Sequence, residues 1–299
     1  MPPMTPELGP PIDVLEPETA PVPIVLSSPH SGRIYPPSLL RAARLGPEQL
    51  RALEDRFVDR LFESGPELGA PLLRARFARA YVDPNREAFE LDPALFRTPL
   101  PAFVNADSTK ARAGLGTIPS RVAGGAIYRS RLNFEEAERR VRLAYLPYHR
   151  ALEDLLVRTQ QEFGTALLLD CHSMPNPNGN AAAEGMIDFA LGDRFGSSCA
   201  PLIVERIERF LRRQGLRVAR NRPYAGGHIT CRYGRPAMAL HALQIEIRRS
   251  LFMDERTGRP HGAMAELAQL MRELIAEMAE FALDRLVPRH RLAPRRLAS

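Results

Sequence analysis

The chain has 299 residues, of which 44% are hydrophobic and 25% charged, enough material for one large α/β domain. No apolar run approaches the ~18 residues that a membrane-spanning helix needs, and the three cysteines lack metal-finger spacing, so the composition indicates a reduced, cytoplasmic protein without a membrane partner. The formal charge of +6 does not indicate nucleic-acid binding, because the basic residues are spread along the chain, interleaved with acids, and accompanied by no recognised module.

Proline punctuates residues 1–21, which are predicted to be a lead-in to one domain over residues 22–287. Residues 288–299 are predicted to be a basic tail. The first strand is predicted over residues 23–28. Helices are predicted over residues 37–43 and 47–64, and the latter carries Asp55 and Asp59 four residues apart, away from its apolar stripe.

Strands and helices alternate along the rest of the chain. The remaining predicted elements are a strand over 71–81, an irregular excursion over 88–130, a helix or helix pair over 134–161 interrupted near Pro147, a strand over 166–169, a loop over 175–179, a helix over 200–214, a strand over 216–219, a loop over 224–230, a strand over 239–245 and a helix over 263–286. This alternation predicts an α/β fold, a single domain whose mostly parallel or mixed central sheet carries helices on both faces.

Three polar side chains lie where apolar runs of predicted strands end. His30 follows the first strand, His172 follows the run Ala166-Leu167-Leu168-Leu169, and Glu246 follows the run that ends at Ile245. In open α/β sheets, ligands bind at such strand ends. Two histidines and a glutamate placed in this way predict a hydrolase site with one metal ion.

The candidate metal ligands are two imidazoles and one carboxylate. Catalytic zinc takes about three protein ligands and keeps a position for water. His30 and His172 supply two ligands, and Asp55 or Asp59 on the following helix supplies the third. Glu246 then acts as the general base that activates the water. The alternative for each histidine is a hydrogen-bonded structural residue.

Anion-binding side chains are predicted in the block Asp83-Pro84-Asn85-Arg86. Arg86 offers a planar fork that matches a carboxylate, and Asn85 adds a donor. The alternative is that Arg86 pairs with a nearby structural acid. His228 follows two glycines and is predicted to be a mobile substrate contact, with an ordinary exposed loop histidine as the alternative.

Five ordered blocks then suggest a family. They are Ser28-Pro29-His30-Ser31-Gly32 with Tyr35-Pro36, Glu54-Asp55 with Val58-Asp59, Val82-Asp83-Pro84-Asn85-Arg86, Asp170-Cys171-His172-Ser173-Met174, and Gln244-Ile245-Glu246-Ile247-Arg248-Arg249 with Met253-Asp254-Glu255. Together they resemble the N-formylglutamate amidohydrolase family over roughly residues 22–285. The resemblance implies a fold like that of zinc carboxypeptidases and one divalent metal ion, with Zn²⁺ expected.

The resemblance also implies roles for single residues. Asn85 and Arg86 look like the carboxypeptidase block that holds the substrate carboxylate, and Glu246 looks like the catalytic glutamate. Arg33 stands where carboxypeptidases have their second, glutamate ligand, so Asp55 is the substitute. Another arginine, Arg121 or Arg249, is expected to hold a second carboxylate.

The implied reaction is the hydrolysis of N-formyl-L-glutamate to formate and L-glutamate, a late step of histidine degradation. The expected partner is thus a small acidic N-acyl amino acid. The alternatives are another N-acyl amino acid amidohydrolase, a small carboxypeptidase, or a catalytically silent protein that binds acidic metabolites. The pattern makes no prediction of the oligomeric state.

Overall fold

Seven strands form the main sheet of the computed structural model, which describes residues 8–123, 125–176 and 186–291. These strands are β1 Ile12–Leu15, β2 Ile24–Ser28, β3 Leu72–Ala75, β6 Ala166–Met174, β7 Phe189–Gly192, β8 Val218–Arg220 and β9 Leu240–Arg248. Their order in the sheet is β1-β3-β2-β6-β9-β7-β8. The β2–β6, β6–β9 and β7–β8 pairs are parallel and the β7–β9 pair is antiparallel. The predicted α/β fold with a mixed sheet is confirmed.

Helices and two short ribbons make up the other regular elements. The helices are α1 Pro37–Ala42, α2 Pro47–Leu50, α3 Val58–Leu61, α4 Thr109–Arg112, α5 Phe134–Arg140, α6 Leu146–Phe163, α7 Pro201–Arg213, α8 His228–Tyr233 and α9 Ala263–Arg285. The ribbons are β4 Arg121–Val122 with β5 Gly125–Ala126, and β10 Met253–Asp254 with β11 Arg259–Pro260. No helix in the described ranges has the length and apolar character needed to cross a bilayer.

The prediction of one continuous helix over residues 47–64 is wrong. After α2 and a 3₁₀ turn over Arg51–Leu53, Glu54 is extended, and Phe57 adopts a left-handed conformation with φ of +68°. The backbone N–H of Asp55 donates to the carbonyl of His30 at 3.0 Å. Because this tertiary hydrogen bond replaces a helical one, Asp55 and Asp59 do not share a helix face.

Smaller differences occur elsewhere. The strand predicted over 71–81 is shortened to β3, and α8 begins within the loop predicted over 224–230. A π-helical turn over Val141–Tyr145 joins α5 to α6, close to the predicted interruption. β1, inside the predicted lead-in, and β7 were missed because runs of four residues give little periodicity. Residues 1–7 of the lead-in, 177–179 of the predicted loop and 292–299 of the tail lie outside the described residues.

The chain forms two compact units, and the second comprises residues 15–27, 57–72 and 153 onward. Its apolar core contains Cys171 of β6 and Ile245 of β9, which lie with the buried apolar side chains of α7 and α9. Since successive side chains of a strand point to opposite faces, Asp170, His172, Gln244 and Glu246 lie on the face opposite this core cluster. Burial raises the pKa of the Cys171 thiol well above its ordinary value, and this thiol lies on the face opposite His172.

The first unit comprises residues up to 14, 28–56 and 73–152, and a buried arginine stabilises it. Arg140 of α5 is fully buried. Its Nη1 donates to the carbonyl of Tyr81 at 3.0 Å and to the hydroxyl of Tyr128 at 2.6 Å. Its Nε donates to Glu136 at 2.7 Å. This guanidinium therefore anchors the segment that leads into Asp83.

Glu136→Gln is expected to lower the free energy of unfolding near pH 7 by about 1.5–3 kcal/mol, the value of hydrogen bonds to charged groups. Burial raises the pKa of Glu136, but Arg139 and Arg140 outweigh it and lower the pKa below its ordinary value. The loss should therefore be complete above the unfolded pKa of about 4.3 and shrink as pH falls toward the lower folded-state pKa. Urea unfolding at several pH values measures this loss in the free energy of unfolding. Glu135→Gln, at an exposed position, is the control. A loss that is equal near pH 7 and pH 3 would contradict this.

Candidate active site

His30, which follows β2, contacts two buried carboxylates of the first unit. Its Nε2 lies 2.7 Å from Oδ1 of Asp83, and its Nδ1 lies 3.1 Å from Oδ2 of Asp55. All three residues are at least 98% buried. The hydrogen bond from Asp55 N–H to the His30 carbonyl holds the two chain segments together.

Asp83, the partner of His30 Nε2, is itself held by two donors. Its carboxylate also accepts hydrogen bonds from Arg79 Nε at 2.8 Å and from the N–H of Asn85 at 2.8 Å. Burial raises the pKa of Asp83, but the charges of Arg79 and His30 outweigh it and hold the pKa well below its usual range. Nδ1 of His30 faces Oδ2 of Asp55. A proton on Nδ1 or a metal cation between these two atoms satisfies both of them.

His172 has the same kind of partner within the second unit. Its Nε2 lies 2.9 Å from Oδ2 of Asp170, two residues earlier on β6, and Oδ1 of Asp170 accepts from Ser27 at 3.0 Å. Both His172 and Asp170 are buried. A carboxylate that accepts one ring N–H orients an imidazole so that the other nitrogen can bind a metal. The Asp170–His172 pair has the arrangement of an imidazole that is oriented in this way.

Glu246 is the register partner of His172 on the adjacent parallel strand β9. Side chains of partner residues on neighbouring strands lie on the same face, about 5 Å apart at their backbones. Glu246 is 6% exposed, and Oε1 accepts a hydrogen bond from Gln244 Nε2 at 2.7 Å. The structure therefore positions a buried carboxylate beside His172.

Within the described residues, His30, Asp55 and His172 form a group that could hold a metal ion. Asp59, the alternative third ligand, is not part of this group. Two imidazole nitrogens and a carboxylate oxygen are donors that Zn²⁺ and other divalent transition metals accept. The donors fit such an ion and indicate a metal site without identifying the metal.

Arg86 is held in place by backbone carbonyls. Its Nε donates to the carbonyl of Leu115 and its Nη1 to the carbonyl of Asn85, at 2.8 and 2.9 Å. These two contacts use two of the five N–H groups of the guanidinium. Asn85 is buried. Among the described residues Arg86 forms no ion pair within 4 Å, but its charge contributes to the lowered pKa of Asp83, the nearby structural acid.

The other predicted substrate contacts differ in their surroundings. Arg121 is exposed on β4. Arg249 is half-buried and donates from Nε to the hydroxyl of Ser173, next to His172, at 3.1 Å. His228 is half-buried at the first residue of α8, rather than within a loop.

Two carboxylates of the site were not predicted to contact histidines. Asp170 could have been found, because its spacing of two from His172 on a strand places both side chains on one face. Asp83 carried no such signal. It lies 53 residues from His30 in the chain, and only the tertiary fold joins them.

Known proteins are similar to this chain in sequence and in fold. The family model described as N-formylglutamate amidohydrolase matches residues 22–253. A Pseudomonas aeruginosa N-formylglutamate deformylase is 33% identical over 265 residues, covering 87% of this chain and 92% of that protein. A Pseudomonas putida N-formylglutamate deformylase is 30% identical over 272 residues, covering 87% and 94%.

The fold matches solved structures as well. The crystal structure of a Ralstonia eutropha N-formylglutamate amidohydrolase is 40% identical, with a TM-score of 0.85 over 91% of this chain and 98% of that one. An Agrobacterium tumefaciens protein that is 20% identical shares the fold, with a TM-score of 0.63 over 92% and 96% of the two chains. The family model spans more than half of the chain and the relatives nearly all of it, so the chain belongs to the N-formylglutamate amidohydrolase family.

Proposed function

We propose that this chain is a metal-dependent amidohydrolase that hydrolyses N-formyl-L-glutamate to formate and L-glutamate. The names of the Pseudomonas and Ralstonia relatives support the substrate. The observation that carries the metal dependence is the buried pair of His30 Nδ1 and Asp55, with His30 Nε2 committed to Asp83. We further propose a place late in histidine degradation, in the cytoplasm.

His30, Asp55 and His172 are the proposed metal ligands, and Zn²⁺ is the proposed ion. A bound divalent ion supplies Lewis-acid chemistry, since it polarises a carbonyl and lowers the pKa of coordinated water. Each of the two histidine ligands is itself oriented by a buried carboxylate. Asp83 and Asp170 keep the two imidazoles in the tautomer that presents Nδ1.

Glu246 is the proposed general base. Its carboxylate accepts the proton of the water that attacks the formyl carbon. It then delivers that proton to the amide nitrogen, which leaves as the amine of glutamate. Burial of Glu246 favours this exchange, because few water molecules compete for the carboxylate. The bond that breaks is the bond between the formyl carbon and this nitrogen.

The two carboxylates of the substrate need separate cations. The Nη1–Nη2 edge of Arg86 is proposed to hold the α-carboxylate, with Asn85 as an additional donor. Arg249, next to Ser173, is proposed for the distal carboxylate, and the exposed Arg121 is the second candidate. His228 is proposed as a further substrate contact.

Formate release tests this function directly. The purified chain should release formate from N-formyl-L-glutamate faster than from N-formyl-L-alanine, which lacks the distal carboxylate. Equal rates on both would contradict recognition of a dicarboxylic substrate. No formate from either would contradict the deformylase reaction.

Arg86→Lys and Arg86→Ala are expected to weaken discrimination between formylglutamate and its α-amide. Losing the partner of a buried charge costs about 2–5 kcal/mol, or roughly 30- to 4,000-fold in kcat/KM at about 1.4 kcal/mol per decade. An ammonium cannot reproduce the planar fork or both carbonyl contacts. Steady-state kinetics on formylglutamate and its α-amide measures the ratio of the two kcat/KM values.

Arg112→Lys is the matched control, because Arg112 is an exposed arginine paired with Asp107. The Arg112→Lys variant should prefer formylglutamate over its α-amide by the same factor as the unmodified chain. If both Arg86 variants also discriminate as well as the unmodified chain, then Arg86 does not bind the α-carboxylate.

A further inference from the structure

Gln244 joins the proposed general base to the loop that precedes α8. It is 4% exposed on β9, two residues before Glu246, so the two side chains share a face. Its Nε2 donates to Oε1 of Glu246 at 2.7 Å. Its Oε1 accepts from the backbone N–H of Gly227 at 2.8 Å. All of these residues belong to the second unit.

The orientation of the Gln244 amide follows from its two partners. The N–H of Gly227 can only donate, and the carboxylate of an ionised Glu246 can only accept. Turning the amide over would place two donors together at Gly227 and two acceptors together at Glu246. The Gly227 N–H therefore directs the amide N–H of Gln244 at the carboxylate.

Two glycines allow the loop to reach Gln244. Gly192 of β7 is the register partner of Gln244, and a Cβ at Gly192 would lie 2.6 Å from the backbone nitrogen of Gly226. Gly226 itself has φ of +115°, where side chains are rarely tolerated. Because neither has a side chain, the loop backbone lies against the end of β7. Arg194 N–H donates to the carbonyl of Ala225 at 2.8 Å and secures this approach.

The same loop leads directly into the proposed substrate contact. Gly227 is the N-cap residue of α8, and His228 is the first residue of that helix. Thr230 donates from its hydroxyl to the Gly227 carbonyl at 2.9 Å and fixes this first turn. Gln244 therefore contacts both the carboxylate that moves protons and the backbone that carries His228.

We propose that Gln244 is a positioning residue that holds the Glu246 carboxylate in the orientation needed for proton transfer and ties that orientation to the loop before His228. This inference rests on the proposed role of Glu246 as general base. A carboxylate with one oxygen bound to a fixed donor loses rotational freedom about its terminal bond. A misplaced catalytic group can cost roughly 100-fold in rate.

Gln244→Met and Gln244→Glu separate the two contacts. Methionine has a similar shape and loses both hydrogen bonds. Glutamate keeps an acceptor for Gly227 but replaces the donor with a like charge beside Glu246. We expect kcat on formylglutamate to fall about 10- to 100-fold in both variants, with KM changed much less. Gln269→Met is the matched control, because Gln269 makes the same kind of bond to Glu273 at 3.0 Å on the exposed surface of α9, and its kcat should not change.

A double-mutant cycle with Glu246→Gln decides the assignment. If Gln244 acts through the Glu246 carboxylate, Gln244→Met should lower kcat in the unmodified chain and have no further effect in the Glu246→Gln background. Equal effects in both backgrounds would overturn the proposal, as would near-normal kcat in Gln244→Glu. Normal turnover in Glu246→Gln alone would instead overturn the proposed base, and the Gln244 assignment with it.

Discussion

His172→Ala should lose bound metal and formate release together. His172 is one of the three proposed ligands, and it forms a buried pair with Asp170. Alanine removes the nitrogen donor, so the remaining ligands, His30 and Asp55, number fewer than the three that catalytic zinc usually has. Metal content by mass spectrometry and formate release on the same preparation measure both effects.

The control for this variant is His261→Ala. His261 is exposed, and its imidazole bonds to the carbonyl of Ser250 and the N–H of Ala263. It should keep its metal and its activity. A His172→Ala protein with full metal occupancy would refute the ligand assignment.

Glu246→Gln should keep its metal and bind formylglutamate with nearly normal affinity, yet turn it over slowly. Glutamine has almost the same shape and can still accept a hydrogen bond from Gln244, but it cannot take the proton of water. Removing a general base typically costs about 10²–10⁴-fold in kcat. Steady-state kinetics with metal analysis measures this, and near-normal turnover would show that Glu246 is structural.

The strand-end residues were predictable because their signal is local. Apolar runs followed by His30, His172 and Glu246 indicate buried strands with polar ends. The structure continues the strands predicted over 166–169 and 239–245 to Met174 and Arg248, so His172 and Glu246 lie within β6 and β9, side by side in register. The resemblance to a family added the reaction and the expected metal. Family membership is now supported by relatives at 33% and 40% identity.

The local conformation around Asp55 was not predictable from periodicity. The apolar spacing favoured one helix over 47–64, which left Asp55 and Asp59 as equal choices. The left-handed conformation of Phe57 and the hydrogen bond between Asp55 and His30 break that helix. The hydrogen bond between Asp55 and His30 joins segments that are distant in sequence, as does the pairing of His30 with Asp83.

The most direct test of the proposed function compares formate release before and after metal removal. The chain is dialysed against a chelator, assayed on N-formyl-L-glutamate, and assayed again after stepwise addition of Zn²⁺. The proposed site predicts loss of activity on chelation and full recovery at one ion per chain. Unchanged formate release by the metal-free chain would contradict it.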